Sequence, residues 1–516
     1  MCAEFYNVCC RLAAMKLSAF VLVMAVTLSA APSPEVLRVR EWRARNEGRI
    51  LTELVDLLAL PNVAANRADI IKNADLLTAM FEKRGFAVSR WDTKGSPIVF
   101  AKRDAANPRG SVVFYFHYDG QASDASEWTR GAPYAPAAFL GDKPFALTPQ
   151  ASGVDPNVRI YARSASDDKG PIVAFLAAVD GLLASKAQLP WNLRVVLDGE
   201  EEGGSRNFDP TMLQRAAEVK SDLAIIVDSP RHASGLPTVY YGSRGGAGAV
   251  IKVFGAIGDL HSGNYGNFVT DPAMALAKLI ATMKDANNNV TIKGFYDDVT
   301  PLTAAERRAI DEIPNVDQKL LEEFGLARQE HPDSRIELQH NRPTFSVLGL
   351  ESGNVYTGTR SAIPRFASAR IEMRLVKGLN GAKQIDLMIA HIREQGFHVV
   401  DKEPDMATRR KYPLIAQVTR GGGGGFPAVK AAIDNPITSK AADAIRALDQ
   451  RLVQMPTIGG GLPFATFSET LALPSIGLAV VNFDNNQHAA NENIRVGHFW
   501  EAIDIFAALM TMEKGF

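Results

Sequence analysis

Apolar runs in this chain repeatedly stop on acidic or histidine residues. Residues 111–116 (SVVFYF) run into His117 and Asp119, and residues 193–197 (LRVVL) run into Asp198, then Glu200, Glu201 and Glu202. Residues 223–227 (LAIIV) end on Asp228, and residues 476–483 (IGLAVVNF) lead through a short polar turn to His488. Short runs rich in β-branched and aromatic residues predict buried parallel strands. Helical spacing predicts helices over 35–60, 70–84 and 167–183. Gly85 suits a left-handed cap after the second. Ser166 or Asp167 can cap the third, with Pro171 in its first turns. Further strands are expected at 87–91 and 97–101. Strand and helix alternate as far as Asp228, which predicts an α/β domain: a mostly parallel sheet with helices on both faces.

The pattern then changes. Residues 247–255 alternate as an exposed antiparallel strand does, and 335–339, 344–350, 366–376 and 398–400 also read as strands. Residues 272–283 and 383–395 read as helices. This set predicts a compact α+β sandwich inserted into the first domain. A helix over 437–449, the strand 476–483 and the segment 499–513 return to the first domain. The expected division is a leader over 1–31, the first domain over 32–244 and 426–516, and the insertion over 245–425. The five glycines at 421–425 read as a flexible junction or loop.

Composition narrows the functional classes. The 516 residues are 46% hydrophobic and 22% charged, with a formal net charge of −1. That balance gives no overall attraction to nucleic acid or anionic membrane, and no nucleic-acid partner is expected. Met15 and Lys16 open a basic start, followed by an apolar stretch over 17–28 and small residues at 29–31. This is the form of a secretory signal, too short to span a membrane, with Met15 the expected true start. A periplasmic or secreted protein with no membrane span after processing is therefore expected. The three cysteines, Cys2, Cys9 and Cys10, all precede Met15. The processed protein would then have neither disulfides nor thiolates, and any metal must be held by nitrogen and oxygen.

The strand ends supply such donors. In open α/β sheets ligands collect beyond the carboxyl ends of the strands. His117, Asp167, Glu202, Asp228 and His488 offer two imidazoles and three carboxylates. With one acid bridging, two metals each see three protein groups and keep a position for water, as catalytic sites do. Glu201, beside Glu202 in a loop, is free to point elsewhere and act as a base toward that water. Asp119, two residues after His117, is placed to accept the second ring N–H and fix its tautomer.

These residues resemble peptidase family M20, a group of dinuclear zinc enzymes with carboxypeptidase G2-like and carnosinase-like branches. HYDGQ at 117–121, ARSASDDKG at 162–170, DGEEEGGS at 198–205, GDLHSGNYG at 258–266 and HAANE at 488–492 carry the resemblance. It implies that Asp167 bridges two divalent metals, zinc first, with cobalt or manganese as alternatives. His117 and Asp228 would complete one site, Glu202 and His488 the other, and Glu201 would be general base and acid. The Asp167–Asp168 peptide is expected to be cis. The insertion is expected to be a lid that also forms a homodimer, sending His261 into the partner's site to stabilise an oxyanion.

The resemblance further implies that Arg374 and the loop Gly459, Gly460 and Gly461 read a substrate carboxylate. Ser361 stands where one branch has asparagine, and Gly461 where the carnosinase-like branch has serine. These features favour a dipeptidase or short-peptide carboxypeptidase over an N-acyl amino acid deacylase of the same family. The implied reaction is amide hydrolysis by a hydroxide held between the metals. An M28-like aminopeptidase uses a similar ligand order but lacks the insertion. A binding protein on a dead hydrolase scaffold would have lost a ligand or the base.

Overall fold

The computed structural model describes residues 31–513, except 357, 359, 422–424 and 450. The expected leader lies outside the described residues apart from Ala31. The first sheet has eight strands, in the order Ala87–Trp91, Ile98–Arg103, Trp191–Asp198, Gly110–His117, Leu223–Val227, Ser475–Ala479, Thr238–Tyr240 and Val453–Met455. The run from Trp191–Asp198 to Ser475–Ala479 is parallel throughout, with antiparallel pairings on either side.

Strand alternation divides the apolar runs between two cores. Val112, Phe114 and Phe116 enter one, and Val113 and Tyr115 the other. Both faces are thus covered, which is why these strands read as continuous apolar runs. Helices Lys169–Ala184 and Val496–Thr511 close the first face, with Phe175 at 5.0 Å from Phe114 and 5.6 Å from Phe506, ring centre to ring centre. Phe208–Gln214 and Thr466–Thr470 contribute Phe208, Met212 and Phe467 to the second. Truncating a fully buried phenylalanine such as Phe175 to alanine costs about 3–5 kcal/mol.

The chain leaves this sheet and returns to it on one antiparallel ribbon, Gly242–Ser243 against Val429–Lys430. Between them lies a second sheet, in the order Ser346–Glu351, Phe366–Leu375, Gly245–Phe254, Ile415–Arg420 and His398–Val400. Ile251 and Val253 face helices Pro272–Ala281 and Gly381–Glu394, meeting Leu276, Leu279, Ile385 and Met388. Val250, on the opposite face, is exposed.

Three local differences from the sequence reading have identifiable causes. The helix expected over 35–60 is two, Pro34–Ala44 and Glu47–Leu58, because the Asn46 side chain bonds the Trp42 carbonyl at the break. The helix expected from Asp167 starts at Lys169, since Glu492 holds the preceding backbone out of helical register. Residues 335–339 are not a strand: Ile336–Gln339 is a helical turn, closed by Leu338 and His340 N–H bonding back to Arg335 and Ile336. The Glu337 carboxylate is buried against His232 at 3.0 Å, so the tertiary contact selects the turn. Among the described residues, no helix is long and apolar enough to cross a membrane.

Candidate active site

The parallel strands deliver their polar ends to one edge. His117 and Asp198 are register partners at the ends of adjacent strands, and Asp228 follows Leu223–Val227 on the next. Glu201 and Glu202 lie in the tight turn Glu201–Gly203 just after Asp198. His488 arrives after Ser475–Ala479 with a positive φ of 63°.

The donor atoms fall into two adjoining groups. His117, Glu201 and Asp228 present atoms within 4.8 Å of one another, and Asp167, Glu202 and His488 do the same. Asp167 joins the groups. Its Oδ1 lies 2.7 Å from His117 Nε2, and its Oδ2 lies 3.0 Å from His488 Nε2. Glu202 Oε2 is 3.2 Å from the same His488 nitrogen, and Asp228 Oδ2 is 3.9 Å from His117 Nε2. Donors about 2.0–2.1 Å from one tetrahedral ion would be about 3.3 Å apart, so these separations suit metal ligation. One carboxylate facing both imidazoles is the arrangement a bridging ligand requires. The Asp167–Asp168 peptide is cis.

Charge makes the same point. Four carboxylates face two imidazoles here. Burial, reinforced by Asp228, pushes the Glu201 carboxyl well up. Burial raises Asp228 to about 7. Contacts with Asp167 and Glu202 raise His488 to about 10. Burial opposes charge on His117, but Asp119 and Asp167 outweigh it and hold its proton well above the ordinary range. The four carboxylates match two divalent cations in formal charge. The all-oxygen-and-nitrogen donor set fits zinc, cobalt or manganese.

A supporting layer holds these groups in place, and sequence reasoning found little of it. His117 Nδ1 faces the Asp119 carbonyl at 3.2 Å and the Asp119 carboxylate at 3.4 Å. That carboxylate has a larger task. Its Oδ1 and Oδ2 accept the Glu201 and Glu202 N–H groups, both at 3.0 Å, tying the acidic turn to the neighbouring strand. Glu492, fully buried, accepts from the Ser164, Ser166 and Asp167 N–H groups and from Arg163 at 2.8 Å. Gln121 donates to Glu202 and Gln487 to Asp167. The HAANE segment was the signal for Glu492, but no sequence feature assigned that glutamate a partner.

The substrate-side candidates stand in two places. Arg374 lies on Phe366–Leu375, with Nε 3.4 Å from Glu372. It neighbours Arg244, whose guanidinium is held down to about 10 by burial first and Arg374 second. The Arg244 N–H donates to the Gly460 carbonyl, and Gly459 lies against the His340 ring. Arg374 and the Gly459–Gly461 loop thus share Arg244 as a neighbour. Gly461 lies under Phe426, beside the cleft that Glu201 lines. His261 instead stands exposed on a small ribbon, Leu260–His261 against Ala362–Ile363, and Ser361 is exposed just before its second strand. His261 Nδ1 accepts the Gly263 N–H, and no hydrogen bond joins His261 to the cage among the described residues.

A family model described as Peptidase family M20/M25/M40 matches residues 113–512, spanning every cage residue. The chain belongs to this family. It is therefore a metallopeptidase. Among curated proteins, the M20 chain is 24% identical to the Schizosaccharomyces pombe Cys-Gly metallodipeptidase dug1, over 90% of this chain and 95% of that protein. It is 26% identical to human Beta-Ala-His dipeptidase, over 80% and 76%. Among solved structures, the M20 family metallo-carboxypeptidase Sso-CP2 of Sulfolobus solfataricus superposes with a TM-score of 0.72 at 26% identity, covering 89% of this chain and 98% of that one. Human carnosine dipeptidase 1 shares the fold at a TM-score of 0.73, covering 93% and 98%.

Proposed function

We propose that this enzyme hydrolyses dipeptides and short peptides that end in a free carboxylate. The observation that carries the reading is the cage itself: Asp167 faces both donor groups while Glu201 lines the adjoining cleft. The dipeptidase names of the two curated relatives support the substrate class. N-acyl amino acids are the second class to test, since they present the same amide and the same carboxylate.

His117, Asp167 and Asp228 would hold one divalent cation, and Asp167, Glu202 and His488 the other, zinc being the first choice. Bound there, the pair supplies a Lewis acid for the amide carbonyl and makes water more acidic. Glu201 takes a proton from the attacking water, whose oxygen bonds to the carbonyl carbon. The C–N bond then breaks, and Glu201 returns the proton to the leaving nitrogen. A glutamate that takes the water proton in the first step is placed to return it in the second. Arg374 and the glycine loop hold the terminal carboxylate through paired donors and backbone N–H groups.

His261 reaches the site of a second copy, in a homodimer built through the insertion. Its exposure, with no hydrogen bond to its own cage among the described residues, supports that role. The signal-like leader supports export to the periplasm or beyond.

The test is Glu201→Gln assayed on a dipeptide panel alongside metal analysis. Turnover should fall by about 10³-fold or more while two metals stay bound per chain. Near-native turnover in that variant overturns the role of Glu201. Failure of the metal-loaded wild type on every peptide, with activity on N-acyl amino acids, transfers the enzyme to the deacylase reading.

A further inference from the structure

The cleft beside Glu201 has an aromatic wall that none of these roles uses. Phe426 is 45% exposed, yet it is held in a fixed position. Its N–H donates to the Gly246 carbonyl, and the Gly246 N–H donates to its own carbonyl, each at 3.0 Å. Its ring rests on two glycines. A Cβ at Gly461 would lie 2.3 Å from the ring edge, and one at Gly246 would lie 2.8 Å away. Gly425, at a φ of +90°, brings the chain so close that a Cβ would lie 1.9 Å from the Gly246 carbonyl oxygen. Three glycines therefore make room for one phenylalanine at the mouth of the site.

The surroundings of that ring are mainly apolar, with the Asp209 carboxylate on the same cleft. Phe208, Leu462 and Pro463 line the same cleft as Phe426 and Glu201. The two hydroxyls there are occupied: Ser205 donates to Asp198 at 2.6 Å, and Thr466 donates to Asp209. An exposed aromatic ring fixed beside a reacting group offers contact area at little entropic cost.

We propose that Phe426 receives an apolar side chain of the substrate and makes the enzyme selective for peptides carrying one. The inference rests on the peptidase reading above and adds the class of side chain. A side chain at Gly461 would displace the ring.

The test measures kcat/KM for metal-loaded wild type, Phe426→Ala and Phe426→Leu. The substrates are Gly-Gly and dipeptides with leucine or phenylalanine at either position. The wild type should favour the leucine and phenylalanine peptides over Gly-Gly by about tenfold or more. Phe426→Ala should erase about tenfold of that advantage and leave Gly-Gly within about twofold, and Phe426→Leu should keep most of it. Gly461→Ser, which pushes on the ring without removing it, should shift the same ratio. Equal losses on all peptides in Phe426→Ala, or a wild type indifferent to side chain, overturns this proposal and leaves the peptidase reading standing. No turnover of any peptide overturns both.

Discussion

Glu492 shows how much one side chain can organise. Its carboxylate collects three backbone N–H groups and the Arg163 guanidinium with no exposure to solvent. It fixes the loop that places Asp167 between the two donor groups. Glu492→Ala would leave Arg163 buried and unpaired, the costly way to break such a pair, at about 3–5 kcal/mol. The variant should unfold at lower denaturant and bind metal less tightly, while its Glu201 turn, held separately by Asp119, is untouched. Unchanged metal affinity together with wild-type stability would show that the loop keeps its shape without this carboxylate. The sequence announced His117, Glu202, Asp228 and His488 because each follows an apolar run, and Asp167 because it stands at a predicted helix start inside a motif. It was silent on Glu492 because its partners lie more than 300 residues earlier in the chain, and no local pattern encodes that meeting.

At the scale of elements, the cage is a junction of strand ends and turns that resist one another electrostatically. In the metal-free protein, His488 sits near 10 against an ordinary 6.5, and Asp228 near 7 against 3.8. Both shifts mean that the folded chain holds more protons here than the unfolded chain. Stability contributed by the His488 proton is complete below about 6.5 and is lost as pH rises through about 10. The Asp228 proton likewise favours the folded form at low pH, and that advantage disappears as pH rises through about 7. Metal must displace both protons, so its affinity rises over the same window. The gap in Tm between metal-loaded and metal-free protein should therefore widen from pH 6 to pH 9. Calorimetric titrations in buffers of different ionisation enthalpy should show protons released on binding. A constant gap with no proton release would mean that the ligands are already deprotonated. This behaviour was only half legible in the residues. The acids and imidazoles were visible, but Asp119 spanning both N–H groups of the acidic turn needed the register of two strands. Residues 335–339 failed as a strand for the opposite reason: their alternation was real, but Glu337 is drawn in to His232 and the backbone closes on itself.

For the whole molecule, the inserted sheet presents an apolar edge. Strand Ser346–Glu351 is the sheet's edge, and Leu348 and Leu350 are 53% and 68% exposed on it. Edges with apolar side chains invite a partner strand or a partner chain. A second copy placed there would account for the exposed His261 as a group meant for another active site. The argument has a direct test in mixed dimers. Glu201→Gln and His261→Ala should each be inactive alone. In a mixed dimer, the His261→Ala chain keeps its own Glu201 and can take its histidine from the other subunit, restoring one site of two. Mixing the two inactive proteins after dissociation should recover roughly a quarter of wild-type activity, because about half of the random dimers are mixed and each has one complete site. Leu350→Lys should prevent dimerisation by light scattering and abolish the recovery. If His261→Ala alone retains full turnover, or a monomer is fully active, the histidine serves only its own ribbon and the partner has no part in the chemistry.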